Sequence, residues 1–295
     1  MSEAIGRVAA LWRFPVKSML GEQVPAAELT LSGVVGDRAY ALVDSQTAKV
    51  VSAKNPKMWP AMFACRADFV EPPRPGEEPP PVRISLGDTT SVRSDEPDVE
   101  ARLSDFFGRD VRLAQAAPED FTIDQYHPDV EEVDPAGYRD TVAESKLGSA
   151  FFAEAGLPSA VPVGSFFDLF PVSLLTSSTL DRFNELRPES RFDARRFRMN
   201  VIVETEAAGF VENGWLGREL SIGNEVRLSV SIPDPRCVMT TLAQEDLPKD
   251  TEVLRTLVRN NRLDVAGAGR YPCAGVYAVA ESAGTMHAGD AVSFV

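Results

Sequence analysis

From Val8 to Leu113 the chain is cut into short apolar runs, each ended by glycine, proline or aspartate. Val8-Ala9-Ala10-Leu11-Trp12-Arg13-Phe14 stops at Pro15, Leu29-Thr30-Leu31 at Ser32-Gly33, and Ala39-Tyr40-Ala41-Leu42-Val43 at Asp44. Runs this short have the length of strands, and the residues between them are turn formers. Phe63 to Val70 and Val82 to Leu86 continue the series across Glu71 to Pro81, a proline- and glutamate-rich stretch suited to a surface loop or hairpin tip. Asp98 to Phe107 has helical spacing and stops at Gly108, and Val111-Arg112-Leu113 resumes as a strand. The pattern predicts a meander or small barrel.

The second half is organised differently. Ala116 to Tyr138 is acidic, contains proline and is weakly periodic, so it reads as a linker or excursion between two lobes. Ala143 to Ala155 predicts a short helix and Val172 to Leu175 a strand. Thr176-Ser177-Ser178-Thr179 opens a helix, with Ser178 and Asp181 at capping-box spacing, that runs to Pro188. Strands are expected at Arg198 to Val203, Gly275 to Val279 and Ala291 to Val295, and a hairpin at Glu219 to Ile222 and Val226 to Val230 across Gly223-Asn224. Asp250 to Asn260 predicts a further helix. Helices fall between strands without strict alternation, which indicates a strand-rich α+β barrel and not a doubly wound sheet. The expected division is 1–115, 116–140 as linker or excursion, and 141–295.

Composition excludes several classes. The 295 residues, 44% of them hydrophobic, suffice for a core without disulfides. Cys65, Cys237 and Cys273 are far apart, with no C-x-x-C pair for zinc and no clustering for an iron–sulfur centre. A net charge of −14 opposes non-specific binding to nucleic acid or an anionic membrane. No apolar run has the ~18 residues of a membrane helix. Met1 to Arg7 carries Glu3 and lacks the layout of a secretory leader, so a cytoplasmic location is expected. Lysines are confined to Lys17, Lys49, Lys54, Lys57, Lys146 and Lys249, and the remaining basic residues are arginines. Arginine suits bidentate holding of phosphate or carboxylate, and a few that converge can bind an anion on an acidic chain.

One segment combines a reactive atom with a rigid mounting: Pro233-Asp234-Pro235-Arg236-Cys237-Val238-Met239-Thr240-Thr241. Two prolines stiffen the approach to Cys237, Arg236 adjoins it, and a nearby cation or metal favours thiolate. Irregular backbone there lets Arg236 and Cys237 face one pocket. Cys65, in an apolar run, and Cys273, before an apolar strand, read as packing. In Phe14-Pro15-Val16-Lys17-Ser18 a lysine and a hydroxyl follow a strand end, either as a phosphate grip with free N–H groups or as an ordinary loop. Gly36-Asp37-Arg38 puts an arginine at a turn. In Arg195-Arg196-Phe197-Arg198-Met199-Asn200, strand alternation places Arg196, Arg198 and Asn200 on one face, solvated or lining a polar pocket. His127 and His287 lie away from these segments, which disfavours a Ser-His-Asp or histidine metal site. No P-loop or G-x-G-x-x-G pattern follows a strand. Asp168 and Glu212 are the acid–base candidates in apolar settings, or else structural.

Taken in order, these segments resemble the MOSC family, named for the C-terminal domain of molybdenum cofactor sulfurase. Phe14 to Ser18, Gly33, and Asp37-Arg38 with Tyr40 to Asp44 resemble its N-terminal β-barrel domain. Asp168 with Pro171, Leu174-Leu175-Thr176, Arg196 to Asn200, Glu212 with Trp215, Arg236-Cys237 with Thr240-Thr241, Gly275-Val276-Tyr277, Gly284-Thr285 and Gly289-Asp290 resemble the MOSC domain. The architecture is similar to that of the mitochondrial amidoxime reducing components and their bacterial relatives, which bind a pyranopterin molybdenum cofactor and reduce N-hydroxylated compounds. The resemblance implies a MOSC-type β-barrel with an N-terminal β-barrel-like domain and inserted helices. It implies Cys237 as catalytic thiolate ligand to molybdenum, with Lys17, Ser18, Arg38, Arg198, Asn200 and Arg236 holding the cofactor. Met199 replaces a proline common in the family, and Leu169 a small or hydroxylated residue. Some bacterial relatives carry a C-terminal ferredoxin domain that this chain lacks, so the resemblance implies a separate ferredoxin- or cytochrome-like electron donor and a small-molecule substrate. The same family leaves open a sulfur-transfer or carbon–sulfur-bond protein with Cys237 as nucleophile or persulfide carrier, linked to pyridoxal phosphate, for which Lys17 is the one lysine within a motif. A metal-free module that carries a ligand to another enzyme is the third reading.

Overall fold

The computed structural model describes residues 4–88 and 90–295. Met1 to Glu3, within the stretch inspected for a leader, and Thr89 lie outside them.

The architecture is strand-rich α+β. Its centre is a closed barrel of seven strands. Val172–Thr176 runs parallel to Val201–Glu204, which pairs antiparallel with Ala4–Arg13. Ala291–Phe294, Glu219–Ile222, Val226–Pro235 and Arg270–Ser282 follow, each antiparallel to the last. Arg270–Ser282 closes the ring by pairing back to Val172–Thr176, with Leu174 opposite Val276. The first strand of the chain thus sits in a barrel whose other six strands come from beyond residue 171. Inward positions carry Val8, Leu11, Leu174, Val201, Leu220, Leu228, Val276 and Val292, none more than 1% exposed. Each contributes about 1.5–3 kcal/mol relative to leaving it in water.

A smaller lobe packs beside the barrel. Cys65–Phe69, Val82–Leu86 and Thr90–Arg93 form an antiparallel meander, and Ala41–Asp44 pairs with Val111–Ala114. Met19, Leu42, Trp59, Ile84 and Leu103 fill their common core. The Val99–Phe107 helix ends where expected, at Gly108 in the left-handed conformation (φ 64°), which glycine adopts without strain.

Four local expectations are corrected. The stretch read as linker contains the strand Thr122–His127, paired residue for residue with Thr141–Lys146. That pairing takes the first half of the helix expected over Ala143 to Ala155, and only Gly148–Ala155 is helical. The Ser177–Leu186 helix is capped by Thr176, whose Oγ1 accepts from the Thr179 N–H at 3.2 Å, and not by Ser178. The strand expected from Arg198 begins at Val201, because Ala194–Arg196 is a turn of 3₁₀ helix and Arg198 has φ 56°.

Candidate functional site

Val226–Pro235 delivers the proline-flanked segment to the end of the barrel. Pro235 still pairs with Cys273, and the Arg236 N–H donates to the Pro272 carbonyl at 2.8 Å. Cys237 then leaves the sheet in an extended conformation, and its carbonyl accepts from both N–H and Oγ1 of Thr240, starting the Val238–Thr241 turn. Strand pairing ends at this point, so the regular alternation of side chains ends with it. Arg236 and Cys237, though adjacent, both line one cavity of about 430 Å³. Cys237 is half-buried, whereas Cys65 and Cys273 are fully buried and burial pushes their thiols up to about 12.

The remaining walls come from distant parts of the chain. Arg38, Lys54, Asp168, Arg198, Asn200 and Asp234 join Arg236 and Cys237 around the cavity. Arg38 pairs with Asp37, its guanidinium 5.0 Å from the Phe14 ring centre. Arg198 lies over the same ring at 4.3 Å and donates to the Met19 carbonyl. Burial, then the nearby Arg38, pull the Arg198 guanidinium down to about 9. Asn200 donates to Asp37 at 3.0 Å, and its Oδ1 accepts from the N–H and Oγ of Ser173, each at 3.1 Å, so its amide is fixed in orientation. Arg236 pairs with Asp234 and donates to the Phe197 carbonyl, leaving its buried Nε without a partner among the described residues. Ser18, Arg38 and Arg198 all have positive φ (65°, 51° and 56°), an uncommon conformation for residues with a Cβ and one that concentrates at ligand clamps.

Lys54 supplies a charge that the sequence did not single out. It bonds Asp168 at 2.7 Å. Burial opposes its charge, but Asp168 and then Cys237 outweigh burial and raise its pKa, which places the Cys237 sulfur within its electrostatic reach. Asp168 also takes Lys17, whose Nζ donates to the Phe166 carbonyl at 2.9 Å. Burial would raise the Asp168 carboxyl, yet the two lysines hold it well below the usual carboxylate range. It is an ionised acceptor that positions lysines.

The candidates named from sequence therefore divide. Arg38, Arg198, Asn200, Arg236 and Cys237 meet at the cavity. Lys17 and Ser18 are buried behind it. The Lys17 N–H, expected to be free, donates to the Tyr40 carbonyl at 2.8 Å, and Ser18 Oγ contacts Ser52 Oγ at 3.5 Å. Arg196 departs from its neighbours because the 3₁₀ turn breaks strand alternation. Its guanidinium donates to the carbonyls of Thr240, Leu242 and Pro248, clamping the segment after Cys237. Glu212 lies away from the cavity, fully buried, accepting from Thr176 and Thr179. His127, judged remote, lines the cavity with its Nδ1 3.3 Å from Asp134. Its signal was unreadable because the strand that carries it was taken for linker. Lys54 stands in Ser52-Ala53-Lys54-Asn55-Pro56, which no motif distinguishes. Among the described residues no cluster of three or more His, Cys, Asp or Glu side chains is set for a metal ion, and no helix is long and apolar enough to cross a membrane.

Residues 5–110 match the MOSC N-terminal beta barrel domain and residues 163–293 the MOSC domain. Mitochondrial amidoxime reducing component 2 of Bos taurus is 26% identical over 298 residues, covering 98% of this chain and 83% of the relative. Mitochondrial amidoxime-reducing component 1 of Homo sapiens is 24% identical over 305 residues, with the same coverage. Among solved structures, the YUAD protein of Bacillus subtilis aligns over 99% of this chain and 97% of its own at 10% identity, with a TM-score of 0.45, too loose a likeness to bear on function. The chain belongs to the MOSC family and carries both its N-terminal beta barrel domain and its MOSC domain.

Proposed function

We propose that this protein is a molybdenum-cofactor oxidoreductase that reduces N-hydroxylated compounds, with the Cys237 thiolate as the protein ligand to the metal. The observation that carries the reading is the placement of Cys237. Of three cysteines it alone is not fully buried, and it lines the cavity among Arg38, Lys54, Arg198 and Arg236. The names of the relatives, amidoxime reducing components, support the reaction class.

The residues fit such a guest. A pyranopterin cofactor is anionic at its phosphate and dithiolene, and a soft thiolate suits its metal. Arg38, Lys54, Lys146, Arg198 and Arg236 on the wall, with Lys17 behind them, face the wall carboxylates Asp134, Glu144, Asp168 and Asp234 and Asp37 behind them, an excess of one positive charge in a chain of net charge −14. Arg236 Nε is a buried donor with no acceptor among the described residues, and such a donor is costly unless a ligand meets it. When bound, the cofactor supplies the two-electron, oxygen-accepting chemistry. The chain itself holds and orients. Arg38 and Arg198, stacked on Phe14, present fixed positive charge. Asn200 offers an amide locked by Ser173 and Asp37. Asp168 keeps Lys54 at the wall. Phe170 and Tyr277, stacked with ring centres 5.4 Å apart, line the cavity with apolar surface that excludes water. Electrons come from a separate ferredoxin- or cytochrome-like protein, in a cytoplasmic setting.

Metal analysis of protein made in a cofactor-competent host tests the reading. The wild type is expected to hold molybdenum near stoichiometry, and Cys237→Ala clearly less. Equal molybdenum in both would falsify the role of Cys237, and a wild type without molybdenum overturns the function. The pyridoxal phosphate alternative gains no support through Lys17, whose Nζ is held by Phe166 and Asp168 behind the wall.

A further inference from the structure

A second cavity, of about 480 Å³, adjoins the first, with Tyr126, Pro128 and Val238 lining both. Its volume falls in the range of small-molecule sites. Ala53, Trp59, Met62, Phe63, Val130 and Val238, all buried residues, give it an apolar floor. That floor has little polar chemistry to offer. The Thr241 hydroxyl is already donated to the Val238 carbonyl at 2.7 Å, and the Trp59 backbone N–H to the Asn55 carbonyl at 2.9 Å. A sugar or nucleotide body would lose its water there without compensation.

The rim is charged, and mostly positive. Lys57, Lys249 and Arg255 stand around the opening, while Asp129 is the one carboxylate among the described lining residues and is taken by Arg139 at 2.7 Å. Lys57 is committed to Asp140 and the Tyr126 ring, and Arg255 shares one nitrogen with Glu252. Lys249 is exposed and pairs with no carboxylate among the described residues. A positive rim on a chain of net charge −14 selects an anionic head, and an apolar floor selects a hydrocarbon body.

We infer that this cavity binds a monocarboxylate with a hydrocarbon chain, the chain lying on the Trp59 floor and the carboxylate held at the rim by Lys249 and Arg255. The floor includes Val238 and Thr241, so the bound chain packs against the turn that carries Cys237. The inference does not depend on any cofactor in the first cavity.

Equilibrium dialysis of the full chain against labelled decanoate, well below its micelle concentration, tests it, with butyrate and decanol as comparators. Decanoate is expected to bind saturably, with decanol and butyrate about tenfold or more weaker, because each lacks one of the two required features. Lys249→Gln with Arg255→Gln is expected to weaken decanoate by about tenfold and leave decanol unchanged. Lys249→Gln alone, on an exposed side chain, gives a smaller loss in the same direction. Non-saturable decanoate uptake, equal affinity for decanol, or undiminished decanoate binding by the rim variants each overturn the inference.

Discussion

Asp168 holds two lysines at once, and the consequences are measurable one residue at a time. Lys17 is 4% exposed and pairs with no other carboxylate among the described residues, so Asp168→Asn leaves a buried ammonium without its countercharge. The expected cost is about 3–5 kcal/mol in urea unfolding. Lys17→Met should cost much less, since it removes the buried charge at similar volume and leaves Asp168 paired with Lys54. The same lysine sets a pH dependence. Burial, only partly offset by Asp168, brings Lys17 down to about 8 from 10.5. Between those values the unfolded chain binds more protons than the folded one, so Lys17 makes stability rise with pH across that window. Thermal unfolding from pH 8 to 10.5 should show this rise in the wild type relative to Lys17→Met, and parallel curves for the two proteins would exclude it. Lys17 was conspicuous in sequence because it follows a strand end, while Lys54, which reaches the cavity, was not. Sequence position marks where a side chain starts, and the wall it reaches depends on partners such as Asp168, more than 100 residues away.

At the scale of elements, the Ser177–Leu186 helix is tied to the 3₁₀ turn Val211–Trp215 through a single carboxyl. Thr176 Oγ1 caps the helix and donates to Glu212 Oε2 at 2.6 Å, and Thr179 Oγ1 donates to the same oxygen at 2.7 Å. Burial pushes the Glu212 carboxyl up, against the pull of both hydroxyls. A neutral acceptor should therefore serve. Glu212→Gln is expected to stay within about 1 kcal/mol of wild type, and Glu212→Leu, which strands two buried hydroxyls, to lose about 2–4 kcal/mol in denaturant unfolding. A large loss for Gln would show that the ionised form is required. The helix itself was legible, with its cap two residues early, because hydroxyl-rich starts offer several candidate caps and only geometry selects one. Thr141–Lys146 was not legible as a strand: its partner Thr122–His127 lies across a long acidic loop, and strand formation depends on what lies opposite.

For the whole molecule, the decisive event is closure of the barrel between Val172–Thr176 and Arg270–Ser282. Gly275 sits at that seam with φ 82°, where a Cβ would collide with the Leu174 carbonyl oxygen and the Met199 methyl. Gly275→Ala combines left-handed strain with a backbone clash and should cost about 2–4 kcal/mol or more, read from the denaturation midpoint. An unshifted midpoint would mean that the seam yields. Closure also brings residues 38, 54, 168, 198, 200 and 234–237 to one cavity, something no local pattern foretells. The sequence by itself determined most of the segments that extend or coil, since alternation, turn residues and glycine stops act between near neighbours. It also marked Cys237, because two prolines within four residues stiffen its approach however the rest of the chain folds. Only the tertiary structure decided which cations surround that sulfur, sending Arg196 to backbone carbonyls and Lys17 behind the wall while admitting Lys54. Charges attract through space, and the fold alone sets the distances between residues remote in the chain.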